Sequence, residues 1–290
     1  MLLAVDIGNT NISVGFIDGG SVVGTYRITT KSHHTADEYA LNMRRFMTLS
    51  DVRPGDVEGA IISSVVPKVM HAFRGAIRKL TDLDPIVVGP GVPTGLDIRL
   101  DNPKAVGADR IADSVAAYTL YGGPVLVIDF GTATTYDYVD GHGAFRSGAI
   151  GIGLQTAANA LWGQTAQLPE VELADPGTVL GTNTTAAMRA GLFYGFLGGV
   201  EYTIRQFRAE TNEDFITVAT GGLGSILNNA TSAIDVYDRD LIFKGLAIIH
   251  KRAVMPPTGR SAADRFRSRA SKSHTAMMGR NTGGSYARRG

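Results

Sequence analysis

"DFGTATTYD", residues 129–137, follows directly on the aliphatic run Val125, Leu126, Val127 and Ile128. A buried strand that runs straight into an aspartate, a glycine and a group of threonines ends in a turn that exposes successive backbone N–H groups. The chain opens in the same way, with Leu2, Leu3, Ala4 and Val5 leading into "DIGNTN", residues 6–11. One such turn alone reads as an ordinary hairpin, for which Asp and Gly are the default residues. Two copies at equivalent places in two half-chains read as one device built twice.

The chemistry of that device is anion binding. Gly8 and Gly131 let the backbone come close to phosphate oxygens that a side chain would hold away. Asn9, Thr10, Asn11, Thr132, Thr134 and Thr135 add neutral hydrogen-bonding groups. Asp6 and Asp129 would repel a phosphate, so their sensible role is to hold a cation beside it, Mg²⁺ or a monovalent ion. Other devices are missing from the sequence. No Gly-Lys pair exists for a P-loop, no G-x-G-x-x-G for a dinucleotide, and no G-x-S-x-G elbow for a hydrolase. The six histidines are scattered, which argues against zinc.

Outward from the two turns, the halves read alike. After "DIGNTN", the alternation of Ile12, Val14 and Phe16 predicts a return strand, and Val22 to Ile28 a third. Thr35 and Glu38 form a capping box ahead of a helix. "GAIISSVV" at 59–66 predicts a buried strand, and Pro67 suits the first turn of the next helix. "PIVVG" at 85–89 predicts a short strand. In the second half, 125–139 predicts strand, turn and return strand. A helix is expected from about Thr184 to Phe207, with glycines 191, 195, 198 and 199 permitting close packing, and a strand at 215–222 ending in "ATGG". The expectation is an α/β fold of two duplicated domains, 1–121 and 122–252, followed by a tail, 253–290.

Composition bounds the function classes. The chain has 290 residues, 44% of them hydrophobic, and no cysteine, which excludes disulfides and thiolate chemistry. Asp6 interrupts any signal-peptide core, and no apolar stretch is long enough to span a bilayer. These features predict a cytoplasmic protein without a membrane partner. From Lys251 onward there are ten Lys or Arg and one acid, Asp264, giving +9 there against −8 before it. The acidic body excludes specific nucleic-acid binding. The tail, rich in Ser, Gly and Arg, reads as disordered.

A third motif, "GADR" at 107–110, is ambiguous on its own. Gly107 precedes a predicted helix, where free N–H groups and an acid are both expected, so Asp109 could serve only the helix dipole. Arg110 could clamp a ligand carboxylate or pair with a surface acid.

Duplicated Asp-Gly hairpins resemble the sugar kinase, Hsp70 and actin superfamily. Within it, "DIGNTN", "DNPKAVGADRIAD", "DFGTATTYD", "TAQLPEVEL" and "ATGG", in this order and spacing from residue 1 to about 250, closely resemble type III pantothenate kinase. The resemblance implies two actin-like (ribonuclease H-like) domains with mixed sheets and a nucleotide cleft between them. It implies a homodimer that phosphorylates pantothenate with ATP, using Mg²⁺ and a monovalent cation, K⁺ or NH₄⁺. Asp6, Ile7, Gly8, Asn9, Thr10, Asn11, Ile12, Ser13 and Thr132 would bind the ATP phosphates, with Asp6 also facing Mg²⁺. Asp129 would hold the monovalent ion. Gly107, Ala108, Asp109, Arg110 and Thr184 would bind pantothenate, Asp109 acting as base, and 219–222 would lie near the adenosine. Leu100, Ala105 and Ile152 depart from the family pattern, which leaves open a related kinase with another acceptor. A silent nucleotide-binding regulator is the alternative of another class.

Overall fold

The computed structural model describes residues 1–255; the tail expected to be disordered lies, from 256 on, outside the described residues. In the first half, β1 (Leu2–Ile7) pairs antiparallel with β2 (Asn11–Asp18), and β2 with β3 (Ser21–Thr29). The first helix, α1 (Ala36–Leu49), starts on the capping box: Glu38 N–H donates to Thr35 Oγ1 at 3.3 Å and Thr35 N–H to Glu38 Oε2 at 2.7 Å. Such a cap stabilises a helix by about 1 kcal/mol. Then come β4 (Gly59–Ser64), α2 (Pro67–Thr81) opened by its proline, and β5 (Ile86–Val87). The sheet order is β3-β2-β1-β4-β5, with β1, β4 and β5 parallel. The central strands are covered on both faces, which is why they are aliphatic throughout.

The chain then adds β6 (Asp97–Ile98), a strand the sequence pattern did not predict, and α3 (Ala108–Tyr121). The second half repeats the first as β7 (Val125–Phe130), β8 (Ala133–Val139) and β9 (Ala144–Ile152), then α4 (Leu154–Gly163) and α5 (Thr184–Thr211). It continues through β10 (Ile216–Thr220), α6 (Gly224–Asn228) and β11 (Val236–Tyr237) to α7 (Leu241–Val254). Its sheet order is β11-β10-β7-β8-β9-β6. Without β6, which pairs with β9 at the edge, this is the topology of the first sheet.

Two features were not legible in the sequence pattern. The last helix returns to the first half: Phe243, Leu246 and Ile249 share a core with Ala4, Ile17 and Ile61 and with Ile111 and Val115 of α3. The backbones of α3 and α7 meet at Gly245, where a Cβ would stand 2.0 Å from the Ala112 carbonyl oxygen. Any larger residue there would force the helices apart. Glycines 191, 195, 198 and 199 of α5, which permit close packing, have no atom of this chain outside their own helix backbone within 4 Å of a Cβ built on them. That helix face is open.

Candidate active site

The two acidic turns face each other. Thr10 Oγ1 and Thr132 Oγ1 are hydrogen-bonded at 2.9 Å, although 122 residues apart in sequence. Each turn is closed on itself, by Gly8 N–H to the Asn11 carbonyl at 3.0 Å and by Gly131 N–H to the Ala133 carbonyl at 3.1 Å. Neither glycine has a positive φ; what they supply is room. Thr30 Oγ1 donates to the Gly8 carbonyl at 2.7 Å, tying β3 to the first turn. Thr156 Oγ1 of α4 donates to the Thr132 carbonyl at 2.7 Å, tying α4 to the second. Of the residues expected to hold phosphates, Asn9, Thr10 and Thr132 are exposed, while Ile7 and Ile12 are buried in the core and can offer only backbone.

The "ATGG" segment closes on the second turn. Gly221 has φ +93°, and a Cβ there would lie 2.6 Å from Asp129 Oδ1 and from the Phe130 backbone N. Only glycine meets both demands. Tyr237 Oη donates to the Gly221 carbonyl at 2.8 Å and holds the segment down.

"GADR" opens α3 with Gly107 as N-cap and Asp109 in the first turn. Asp109 Oδ1 accepts from the Arg110 backbone N–H at 2.8 Å, and its side chain remains partly exposed. The Arg110 side chain is forked on Asp137 of β8, with Nε 2.9 Å from Oδ1 and Nη2 also donating to that oxygen. Arg110 is therefore paired with an acid of the protein, but not with the surface acid expected. The acid is buried, at 1% exposure, rather than on the surface. The Nη1 end makes no hydrogen bond among the described residues.

Five carboxylates gather around this point. Burial and the neighbouring Asp109 charge push Asp6 up to about 7. Burial, reinforced by Asp6, Asp109 and Asp137, pushes Asp129 up to about 7. Burial raises Asp137 to about 6 against the pull of Arg110. Asp113, one turn after Asp109 and given no role by the sequence, is fully enclosed, has no partner for Oδ1, and is raised well above the ordinary carboxylate range by burial and then by Asp129. Carboxyls whose ionisation is opposed this strongly gain most from a cation placed among them. Among the described residues, no three His, Asp or Glu side chains converge closely enough to hold a metal alone.

Thr184 lies elsewhere. It is the first residue of α5, whose N-cap Asn183 accepts from Ala186 N–H at 2.9 Å. It lines an open groove of about 700 Å³ with Leu161, Leu168, Met188 and Leu192, a groove to which residues 107–110 do not contribute. Leu100 packs against the core that contains Phe145, while Ala105 and Ile152 are exposed. Asp113, Asp137 and Arg27 are the polar residues of the cleft that motif reading missed.

Two repeats of one strand order, each ending its first strand in an acidic glycine turn, define an actin-like fold. Solved structures share the fold. A 2-dehydro-3-deoxygalactonokinase from Sinorhizobium meliloti matches with a TM-score of 0.56 at 14% identity, over 90% of this chain and 99% of that one. A Baf family transcriptional activator from Campylobacter jejuni matches with a TM-score of 0.54 at 21% identity, over 86% and 97%. The chain belongs to the type III pantothenate kinase family, whose profile matches residues 2–206. A type III pantothenate kinase from Bifidobacterium longum subsp. infantis is 61% identical over 254 residues, 88% of this chain and the whole of that protein.

Proposed function

We propose that the chain transfers the γ-phosphoryl group of ATP to the primary hydroxyl of pantothenate, the first committed step of coenzyme A synthesis. The observation that carries the reading is the pair of acidic turns facing each other through Thr10 and Thr132, with Asp109 at the start of α3 beside them. We take 1–121 and 122–252 as the two domains flanking this cleft. Within residues 6–13 the exposed turn tip, Asn9 and Thr10, grips the phosphates with the Thr132 hydroxyl, while the flanking backbone is paired in the β1–β2 ladder. Asp109, still partly exposed, accepts the hydroxyl proton, while Arg110 Nη1 and the backbone of 107–108 orient the acceptor.

The donors around the cleft are hard carboxylate oxygens, which fit Mg²⁺ at Asp6 and a monovalent cation at Asp129. Neither carboxylate has enough protein neighbours to saturate an ion, and Mg²⁺ is commonly bound by one or two carboxylates plus substrate phosphates. When bound, these ions neutralise charge on the phosphate oxygens. Asp6 and Asp129, held close together at a cost, are ready to receive them.

A homodimer is part of the same reading. The glycine face of α5 and the groove around Thr184 are open in the single chain, and a second copy would cover them and bring Thr184 to pantothenate. We take the enzyme to work in the cytoplasm, where ATP is supplied. Among the described residues no helix is long and apolar enough to cross a membrane. Coupled ADP release with pantothenate and a panel of other alcohols tests the acceptor. Pantothenate should be the preferred one; turnover only with a different alcohol, or with none, would overturn the proposal.

A further inference from the structure

The two halves carry the same cross-strand row with one difference. In the first sheet, Arg27 of β3 stands opposite Ser13 of β2, which stands opposite Asp6 of β1. In the second, Ile150 of β9 stands opposite Thr135 of β8, which stands opposite Asp129 of β7. Residues paired across strands share one face of the sheet. That face opens to the cleft, since Asp6, Ser13 and Arg27 are all at least partly exposed while Val5, Ile7 and Ile12 point into the core. The duplicated device therefore has a guanidinium in one copy and an isoleucine in the other.

Arg27 is not used to hold the fold together. Among the described residues it makes no ion pair, whereas Arg110, the other guanidinium at the cleft, is committed to Asp137. It nevertheless reaches across to the second half, with Nη1 3.5 Å from the position of a Cβ on Gly222. Its positive charge pulls down the carboxylates of both turns, Asp6 in the first and Asp129 in the second. A free guanidinium thus lies between the two anion-binding turns and the "ATGG" segment.

We propose that Arg27 contacts the phosphoryl group in transit and stabilises the charge on it. This rests on reading the cleft as a phosphotransferase site. In the transfer, the acceptor oxygen forms a bond to the γ-phosphorus while the bond from that phosphorus to the β–γ bridging oxygen breaks. ADP leaves with that electron pair, and the hydroxyl proton goes to Asp109. Charge on the three non-bridging oxygens has little covalent assistance available, so a cation aimed at them is among the largest contributions a protein can make. A guanidinium fork matches two such oxygens, which an ammonium does not.

Steady-state kinetics and ADP binding for Arg27→Ala and Arg27→Lys test the proposal, with melting temperatures measured alongside. Arg27→Ala should lower kcat roughly 10²–10³-fold, the range for removing one preorganised charge-stabilising donor. ADP affinity should barely move, because ADP lacks the transferred group. Added guanidinium ion should restore part of the rate of Arg27→Ala and none in the wild type, and Arg27→Lys should fall between the two. An unchanged kcat with a raised KM for ATP would overturn the proposal and make Arg27 a ground-state anchor. A loss with a lowered melting temperature and no rescue would overturn it in favour of a structural role. If the wild type itself phosphorylated no alcohol, the failure would belong to the reading of the cleft.

Discussion

Replacing Asp129 with asparagine should weaken activity and stabilise the apo protein at alkaline pH. Asp129 is an ordinary carboxylate, near 3.8, when unfolded, and is pushed up to about 7 in the fold by burial and by Asp6, Asp109 and Asp137. Between these values the folded state holds a proton that the unfolded chain has released, so apo stability falls as pH rises through that window. At about 1.4 kcal/mol for each pH unit, the ionised carboxylate costs at most about 4 kcal/mol at pH 8. Asparagine still buries a polar amide, which costs about 1–3 kcal/mol, so about half of that, roughly 2 kcal/mol, is the expected gain from Asp129→Asn. For a unit of this size the gain corresponds to an increase of about 4–8 °C in melting temperature. Near pH 4.5 the wild-type carboxyl is already neutral in the fold, and the difference should shrink to about 1–2 °C on the same scale. Thermal melts of both proteins at the two pH values, without nucleotide or divalent cation, make the comparison. A variant that melts at or below the wild type at pH 8, or with an equal shift at both pH values, would refute the reasoning.

Activity of the wild type should depend on K⁺ or NH₄⁺, and a weakened Asp129→Asn enzyme should need more K⁺ for half its maximal rate; equal wild-type rates in Na⁺ and K⁺ buffers would contradict the cation role. Asp137→Asn leaves the Arg110 charge largely buried without its partner, and losing one member of such a pair costs about 3–5 kcal/mol. Chemical denaturation should show that loss, and a shift below about 1 kcal/mol would mean that solvent or another group compensates.

What the sequence made legible is local. The hairpins at 6–11 and 129–137, the Thr35–Glu38 cap and the Pro67 helix start are each determined within a few residues, so periodicity and turn chemistry reach them. The pair Arg110–Asp137 is not of this kind. It joins a helix start to a strand through the register of β8, and although Asp137 closes the 129–137 motif, nothing in the spacing assigns it a partner. Asp113 was visible at one helical turn from Asp109, but its complete enclosure depends on packing that the spacing does not reveal. The return of α7 to the first core rests on contacts between residues more than 200 positions apart, such as Ala4 with Phe243 and Leu246. The glycines of α5 permit close packing, but a small residue does not itself show where its partner lies. Arg27 lies within the strand expected at Val22 to Ile28, where no motif singles it out; its place in one cross-strand row with Asp6 follows from the order β3-β2-β1.

The central claim is that this cleft moves a phosphoryl group and that Asp109 takes the acceptor's proton. Asparagine at position 109 keeps the shape and one acceptor oxygen but removes the basicity and the charge. Steady-state kinetics of Asp109→Asn with ATP and pantothenate, beside calorimetric titration with nucleotide, test it most directly. The expected result is a fall in kcat of roughly 10²–10⁴-fold, the usual contribution of a general base, with nucleotide affinity little changed. A folded Asp109→Asn enzyme with near wild-type kcat would contradict the claim and leave Asp109 a residue of the helix terminus.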